Sequence, residues 1–331
     1  MNETRCSKKR ESDQTENMNK LSSVSVARNP KGLKNSSEMN ICFMNSLMQS
    51  FSYLEPLTSF LDSLIVRNAG WNCILRLVQN LMNDLRDASL RKNVLSIEGI
   101  MNNMWKKFPK QLSKGRHEDI FEALDCLLDA MDNDLKNFDV VYKENNEQIS
   151  DNFDCVFGGE LRCIQSCPDS NCSYVSNKVE RFLTVALPLG NVNNQVSPSQ
   201  RINSIEDGFK KFCSEEVLGE EENYNCYGCK RQGVKGKKQL EFEKAPKVLA
   251  VCLKRFEFTN SGSIKIEDPV SFGFRFELFT SRGVENYDLI CVLEHIGRTI
   301  KGGHYICHCK LDENNWITHD VYPPTTNTLF F

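Results

Sequence analysis

NICFMNSLMQSF, residues 40–51, is the stretch from which the rest of the chain can be read. A polar loop gives way here to apolar residues at helical spacing: Phe43, Met44, Leu47, Met48, Phe51 and, further on, Leu54. That spacing predicts a helix with Cys42 at its start. A thiol at a helix N-terminus feels the positive end of the dipole, which favours the thiolate, and the thiolate is the nucleophile. Free cysteine is also a common buried core residue. Position alone therefore does not make Cys42 catalytic, and a base has to be found.

The chain holds five histidines, His117, His295, His304, His308 and His319. His304 follows Gly302-Gly303 and opens the strand-like run HYICHCKL, residues 304–311. Two glycines leave room for close approach of a substrate backbone. Asp320 lies sixteen positions beyond His304, after Trp316. A carboxylate on a neighbouring strand can hold one imidazole nitrogen and leave the other facing a thiol. His295, His308 and His319 lack such a setting and read as half-buried packing residues.

Outward from Cys42 the first half is helical. One apolar stripe runs through Ile74, Leu75, Val78, Leu81, Met82 and Leu85, another through Ile120, Phe121, Leu124, Leu127, Leu128 and Met131. These are core faces and carry no function by themselves. From about Asp151 the signal changes to short runs rich in β-branched and aromatic residues, VLAVCLKRFEF (248–258) and YDLICVLEHIG (287–297) among them. Helices first and strands after predict an α+β fold of two lobes with a cleft between them.

The chain of 331 residues is 40% apolar and carries a net charge of −3. One large domain or two ordinary ones fit that length. The charge, without a basic aromatic-rich face, argues against a nucleic-acid binder. No run is long and apolar enough to span a membrane. Residues 1–20 lack the apolar centre of a secretory signal. Residues 1–30 are too polar to form a core and read as a disordered tail, with Lys8-Lys9-Arg10 as a solvated charge cluster.

Fifteen cysteines without a signal peptide point to a reduced, intracellular protein, cytoplasmic or nuclear. Cys163, Cys167 and Cys172 cluster in CIQSCPDSNC, and Cys226 and Cys229 form CYGC. Two such knuckles can supply four thiolates to a tetrahedral structural zinc ion. Spacing alone leaves open whether Cys167/Cys172 or Cys163/Cys167 is the first knuckle, and whether these are packing thiols instead. Cys307 and Cys309 alternate along one strand and share a face, which suits core packing.

Several of these boxes, in this order, resemble the ubiquitin-specific protease family, over about residues 31–322. GLKN (32–35) with CFMNSLMQSF (42–51) is similar to the family's cysteine box. YDLICVLEHIG, GGHYICHCK and NWITHD are similar to its histidine box. FGGEL (157–161), CPDSNCSYVS and ERFLTVALPL (180–189) look like strands and the first knuckle of its zinc-bearing fingers, and VLAVCLKRFEF looks like the strand after the second. HEDIFEALDCLLDAM (117–131) is similar to the helix carrying an Asp-x-x-Glu pair.

The resemblance implies a papain-like cysteine protease with a helical thumb, about residues 31–145, and β fingers and palm, about 146–331. It implies a triad of Cys42, His304 and Asp320, with Asn35 as oxyanion donor and Asn40 as the nearer alternative. SSEMNI precedes the cysteine and is two residues longer than the family pattern. Asp119, Glu122 and Tyr305 become the substrate-binding residues, the two acids receiving a basic tail. Cys167, Cys172, Cys226 and Cys229 become ligands of one structural Zn²⁺. The expected partners are ubiquitin and ubiquitinated proteins, with no nucleic acid and no membrane. The rival readings are a ubiquitin binder that does not cut and a protease for another ubiquitin-like modifier.

Overall fold

The computed structural model describes residues 31–35, 38–90, 94–147, 152–167, 169, 171–189, 202–218, 225–233, 236–259, 262–299 and 302–320. The polar tail read over residues 1–30 lies outside them.

The first lobe is helical. Its helices are α1 (Cys42–Phe51), α2 (Glu55–Ser63), α3 (Ile74–Arg86), α4 (Glu98–Lys107) and α5 (Ile120–Asn137). Two small strand pairs close it. β1 (Gly32–Leu33) runs parallel to β3 (Val94–Leu95), and β2 (Leu64–Arg67) antiparallel to β4 (Asp139–Tyr142). The stripes predicted for α1, α3 and α5 meet in one core, in which Met44, Met48, Leu75, Val78, Leu127 and Met131 are fully buried. α2 and α4 add to it. Their apolar residues are too few and too interrupted to announce a helix, and they are helical because that core packs on them.

α1 is unusual in being buried on every side. A helix of a globular protein ordinarily keeps a polar face in water. Here Asn45, Ser46, Gln49 and Ser50 are buried as well, so their polar groups need partners inside the protein. The predicted stripe overran the helix: α1 stops at Phe51, and Leu54 stands at the N-cap of α2.

The remainder is mainly sheet. After the short helix α6 (Asp154–Phe157) come β5 (Gly159–Ser166), β6 (Val175–Phe182), β7 (Thr184–Pro188), helix α7 (Ile205–Phe212), β8 (Glu216–Val217), β9 (Lys237–Lys244) and β10 (Ala250–Lys254). There follow β11 (Phe256–Thr259), β12 (Gly262–Lys265), β13 (Arg275–Thr280), β14 (Gly283–Asp288), β15 (Cys291–Thr299), β16 (Gly302–Lys310) and β17 (Trp316–His319). A four-stranded sheet has the order β6-β5-β9-β8, and a three-stranded antiparallel sheet the order β15-β16-β17. β7 and β10 pair in parallel. The predicted α+β class holds, although α7 interrupts the strands and β2 and β4 sit among the helices.

Two runs read as single strands are each divided. Residues 248–258 break at Arg255, whose guanidinium turns away to donate to Ile266 O and Asp268 O. Residues 287–297 break at Leu289-Ile290, where the chain leaves β13 to pair with β16: Leu289 N–H donates to Phe274 O, and Ile290 O accepts from Lys310 N–H. The apolar pattern continues through both breaks, so it carried no sign of the change of partner.

Gly159 shows how tightly the four-stranded sheet starts. A Cβ there would run into the Phe182 ring across the strand and lie 2.9 Å from Lys244 O. Gly159→Ala should therefore destabilise the fold by about 1–3 kcal/mol through overpacking. Thermal melting checks this, and an unchanged midpoint would show that the strand pair yields easily.

Candidate active site

α1 presents Cys42 against β16. The thiol is buried, and it accepts the backbone N–H of Tyr305 together with those of its own helix start. Burial pushes the thiol above its ordinary value of 9.0, the backbone donors pull it down, and the Asp320 carboxylate pushes it up again. Burial wins. The sequence pointed the other way, toward a thiolate favoured by the helix dipole; removal of a charge from water is the larger effect here.

His304 is the third residue of β16, opposite Ile296 on β15. Its Nε2 lies 2.5 Å from Asp320 Oδ1, at the exit of β17. Cys42, His304 and Asp320 line one pocket, together with Asn35, Asn45, Gln49 and His319. Gly303, at φ +153°, has its reason within the chain: a Cβ would collide with the His295 ring and come within 2.6 Å of Ile296 O. Gly302 meets nothing closer than 3.6 Å, so the chain itself does not require glycine there.

The two candidate asparagines are placed differently. Asn35 lines the pocket, and its buried Oδ1 has no hydrogen-bond partner among the described residues. Asn40 takes the left-handed backbone conformation, φ +49°, two residues before the helix. Its Nδ2 donates 2.8 Å to Gly115 O, which turns that amide toward the loop before α5.

Asp119 is the N-cap of α5. Its Oδ1 accepts from Phe121 N at 2.7 Å and from Glu122 N at 3.3 Å. The first job of this carboxylate is thus to satisfy helix donors. Glu122 is exposed one turn on, its carboxyl held above the usual range by partial desolvation and then by the charges of Asp119, Glu118 and Asp125. One edge of α5 is therefore strongly and uniformly acidic. The side chain of Tyr305 is buried, and its hydroxyl accepts the Ile120 N–H. Tyr305 thus ties β16 to the start of α5 while its backbone meets the thiol.

Of the three histidines read as half-buried packing residues, His308 and His319 are instead buried, and His319 also lines the pocket that holds Cys42. His308 is buried between Thr318 Oγ1 and Glu294 Oε2, each 3.0 Å from a ring nitrogen. His319 Nε2 lies 3.0 Å from the Tyr53 hydroxyl. The His295 ring lies 4.7 Å from that of Tyr305. Cys307 and Cys309 are buried, their sulfurs 3.1 Å apart, with Cys291 Sγ 3.4 Å from Cys309 Sγ.

At the far end of the four-stranded sheet, Cys167, Cys172, Cys226 and Cys229 bring their sulfurs within 4.8 Å of one another. Cys167 to Cys229 is 3.8 Å, and Cys172 to Cys226 is 3.6 Å. Zinc bonds to sulfur at about 2.3 Å, which spaces tetrahedral sulfurs about 3.8 Å apart. Backbone N–H groups also aim at sulfur, those of Cys229 and Gly228 at Cys226, Tyr174 at Cys172 and Asp169 at Cys167. The group can hold a metal ion. Cys163 lies inside β5, opposite Lys178 and Leu240, outside the cluster. Among the described residues, no helix is long and apolar enough to cross a membrane.

An α+β chain with a thiol, an imidazole and a carboxylate on one pocket and a four-cysteine cluster on a separate sheet matches a known family. The model for the ubiquitin carboxyl-terminal hydrolase family matches residues 31–321, and the chain belongs to that family. It is 31% identical over 291 residues to ubiquitin carboxyl-terminal hydrolase 23 of Arabidopsis thaliana, covering 85% of this chain and 32% of that protein. Probable ubiquitin carboxyl-terminal hydrolase 16 of Schizosaccharomyces pombe is 29% identical over 294 residues, covering 85% of this chain and 60% of its own length. The chain thus spans about a third to six-tenths of these relatives. Its fold is similar to a chain of the SAGA Ubp8/Sgf11/Sus1/Sgf73 DUB module bound to ubiquitin aldehyde, with a TM-score of 0.73, 20% identity, and coverage of 92% of this chain and 67% of that one.

The burial of Cys42 has a direct consequence in the free protein. A raised value keeps the thiol protonated at neutral pH, and thiolate accumulates only as pH rises. Alkylation of Cys42 by iodoacetamide, followed by mass spectrometry, should be slow at about pH 7 and still be increasing at about pH 9. A rate already level by neutral pH would show the thiol ionised by His304 in the resting protein.

Proposed function

We propose that this chain is a deubiquitinase, which hydrolyses the peptide or isopeptide bond after the C-terminal glycine of ubiquitin. The observation that carries the proposal is the meeting of Cys42, His304 and Asp320 on one pocket, with His304 Nε2 2.5 Å from Asp320, in a chain of the ubiquitin carboxyl-terminal hydrolase family.

The roles follow from the chemistry. Cys42 gives its proton to His304, and its sulfur attacks the glycine carbonyl carbon. The negative charge that develops on the carbonyl oxygen is met by the Asn35 amide and by backbone N–H groups at the start of α1. His304 passes the proton to the departing amine, leaving a thioester on Cys42. Water, deprotonated by His304, then breaks the thioester and frees the thiol. Asp320 holds the imidazole in the required tautomer and orientation. Asn35 is favoured over Asn40 because it faces the pocket, whereas Asn40 donates to Gly115 O.

The acidic edge of Asp119 and Glu122 at the head of α5 suits a basic substrate tail, and Tyr305 supports the floor beside it. Cys167, Cys172, Cys226 and Cys229 suit one structural zinc ion; four thiolates holding it would cross-link two loops and leave it no role in the chemistry. Ubiquitin is the proposed partner, in keeping with solved neighbours whose structures hold ubiquitin aldehyde or monoubiquitin. The helical lobe corresponds to a thumb, and the remainder to fingers and palm.

Hydrolysis of a fluorogenic ubiquitin C-terminal amide tests the reading. Cys42→Ala should lower turnover by roughly 10⁴-fold or more while ubiquitin binding persists. Near-normal turnover in that variant would mean that another group is the nucleophile. The zinc proposal has its own readout. Elemental analysis should give one zinc per chain, and joint Cys226→Ser and Cys229→Ser substitution should remove it. Amide exchange should then quicken in β5, β6 and β9 and ubiquitin should bind more weakly, with Cys42 alkylation unchanged. A zinc-free protein with full exchange protection would reduce the four cysteines to packing residues.

A further inference from the structure

The segment that carries Asn35 is short and has little regular structure of its own. β1 has two residues and pairs with an equally short strand. Among the described residues the buried Oδ1 of Asn35 has no hydrogen-bond partner, so none of them fixes the amide through that atom. Placement of the amide falls to the groups that hold the backbone of residues 31–34.

Two of those groups lie on α1. Gln49 Nε2 donates to Lys31 O at 2.8 Å, and Asn45 Nδ2 donates to Lys34 O at 3.3 Å. Gln49 and Lys31 are 4% and 3% exposed, so this is a bond made without competition from water. Lys31 is held from its other end as well: its Nζ donates to Asp84 O at 2.6 Å and to Asp87 O, at the C-terminus of α3. An ammonium suits the negative end of a helix dipole.

The spacing on α1 adds the functional link. Cys42, Asn45 and Gln49 stand at i, i+3 and i+7, on one face of the helix. The nucleophile and both amides therefore share one rigid ridge, and the Asn35 segment is fastened to that ridge. Side-chain bonds from the helix hold the backbone before Asn35 to the same element that carries Cys42.

We propose that Gln49 is a positioning residue, which sets the Asn35 amide relative to the Cys42 thiol through its bond to Lys31 O. The proposal rests on the reading of Asn35 as oxyanion donor.

A double-mutant cycle on the full chain tests it, with turnover of the fluorogenic ubiquitin amide as readout. Gln49→Leu keeps much of the side-chain volume and removes the donor. It should lower kcat about 10- to 100-fold with KM within about twofold, the pattern of an interaction felt in the transition state. Asn35→Ala should lower kcat by on the order of 10²-fold. In the Asn35→Ala background, Gln49→Leu should cost less than about a further twofold, because the amide it places is gone. Cys42 alkylation should be unchanged by Gln49→Leu, which a general disturbance of α1 would alter. Equal losses from Gln49→Leu in both backgrounds would overturn the positioning role while leaving Asn35 as donor. A silent Asn35→Ala would overturn the donor assignment, and the positioning role with it. If Gln49→Leu lowers the melting point so far that kinetics cannot be measured, Gln49→Met, which removes the donor while keeping an unbranched side chain of similar length, provides the same cycle, judged by the same criterion of non-additivity.

Discussion

The backbone N–H of Tyr305 meets the sulfur of Cys42, and much of the molecule is arranged so that this contact can exist. It requires a helix and a strand from opposite ends of the chain to lie against each other with no water between them. α1 meets that demand by being buried on every side. Its apolar residues fill the helical core, and two of its polar residues, Asn45 and Gln49, bond to the segment around residues 31–34. β16 meets it as the central strand of its sheet, between β15 and β17. The same strand carries His304, and its partner β17 delivers Asp320. Fixing one helix against one strand thus assembles the thiol, the imidazole and the carboxylate together.

The same burial has an opposing effect. The protein surroundings that position the thiol also penalise its charged form, so Cys42 is held above its ordinary value despite a helix N-terminus beneath it. Placement and ionisation pull in opposite directions at this sulfur. The acids at the head of α5 show a similar doubling of roles. Asp119 caps the helix and charges its edge with one carboxylate, so helix stability and the acidic character of that surface are linked. Tyr305 joins the two regions, its backbone at the thiol and its hydroxyl on the first turn of α5.

The four-cysteine cluster follows a different logic, since it depends on register. β5 and β9 run antiparallel, with Ser166 opposite Lys237, so the loops that adjoin those residues come to the same end of the sheet. Cys167 follows β5 directly, and Cys226 and Cys229 precede β9. Separations of 54 and 62 residues in sequence become 3.6 and 3.8 Å between sulfurs.

Elements with a strong period were legible along the chain: α1, α3 and α5, most of β16, and the α+β order. The sequence also placed Cys42 at a helix start and His304 near the beginning of a strand, although that strand starts two residues earlier, at Gly302, because local pattern and residue chemistry are both written along the chain. It could not divide 248–258 or 287–297, since an apolar run looks the same whether or not the strand changes partner. It left Asn35 and Asn40 unresolved, and Cys163 and Cys172 as rival ligands, because both choices depend on direction in space. Only the tertiary structure turned Asn40 toward Gly115 and Asn35 toward the pocket, and only strand register left Cys163 inside β5 while gathering the other four. It alone showed Asp119 as a cap and Gln49 as a link from α1 to Lys31. These are contacts between residues distant in sequence, and burial and hydrogen-bond satisfaction in the folded chain decide them.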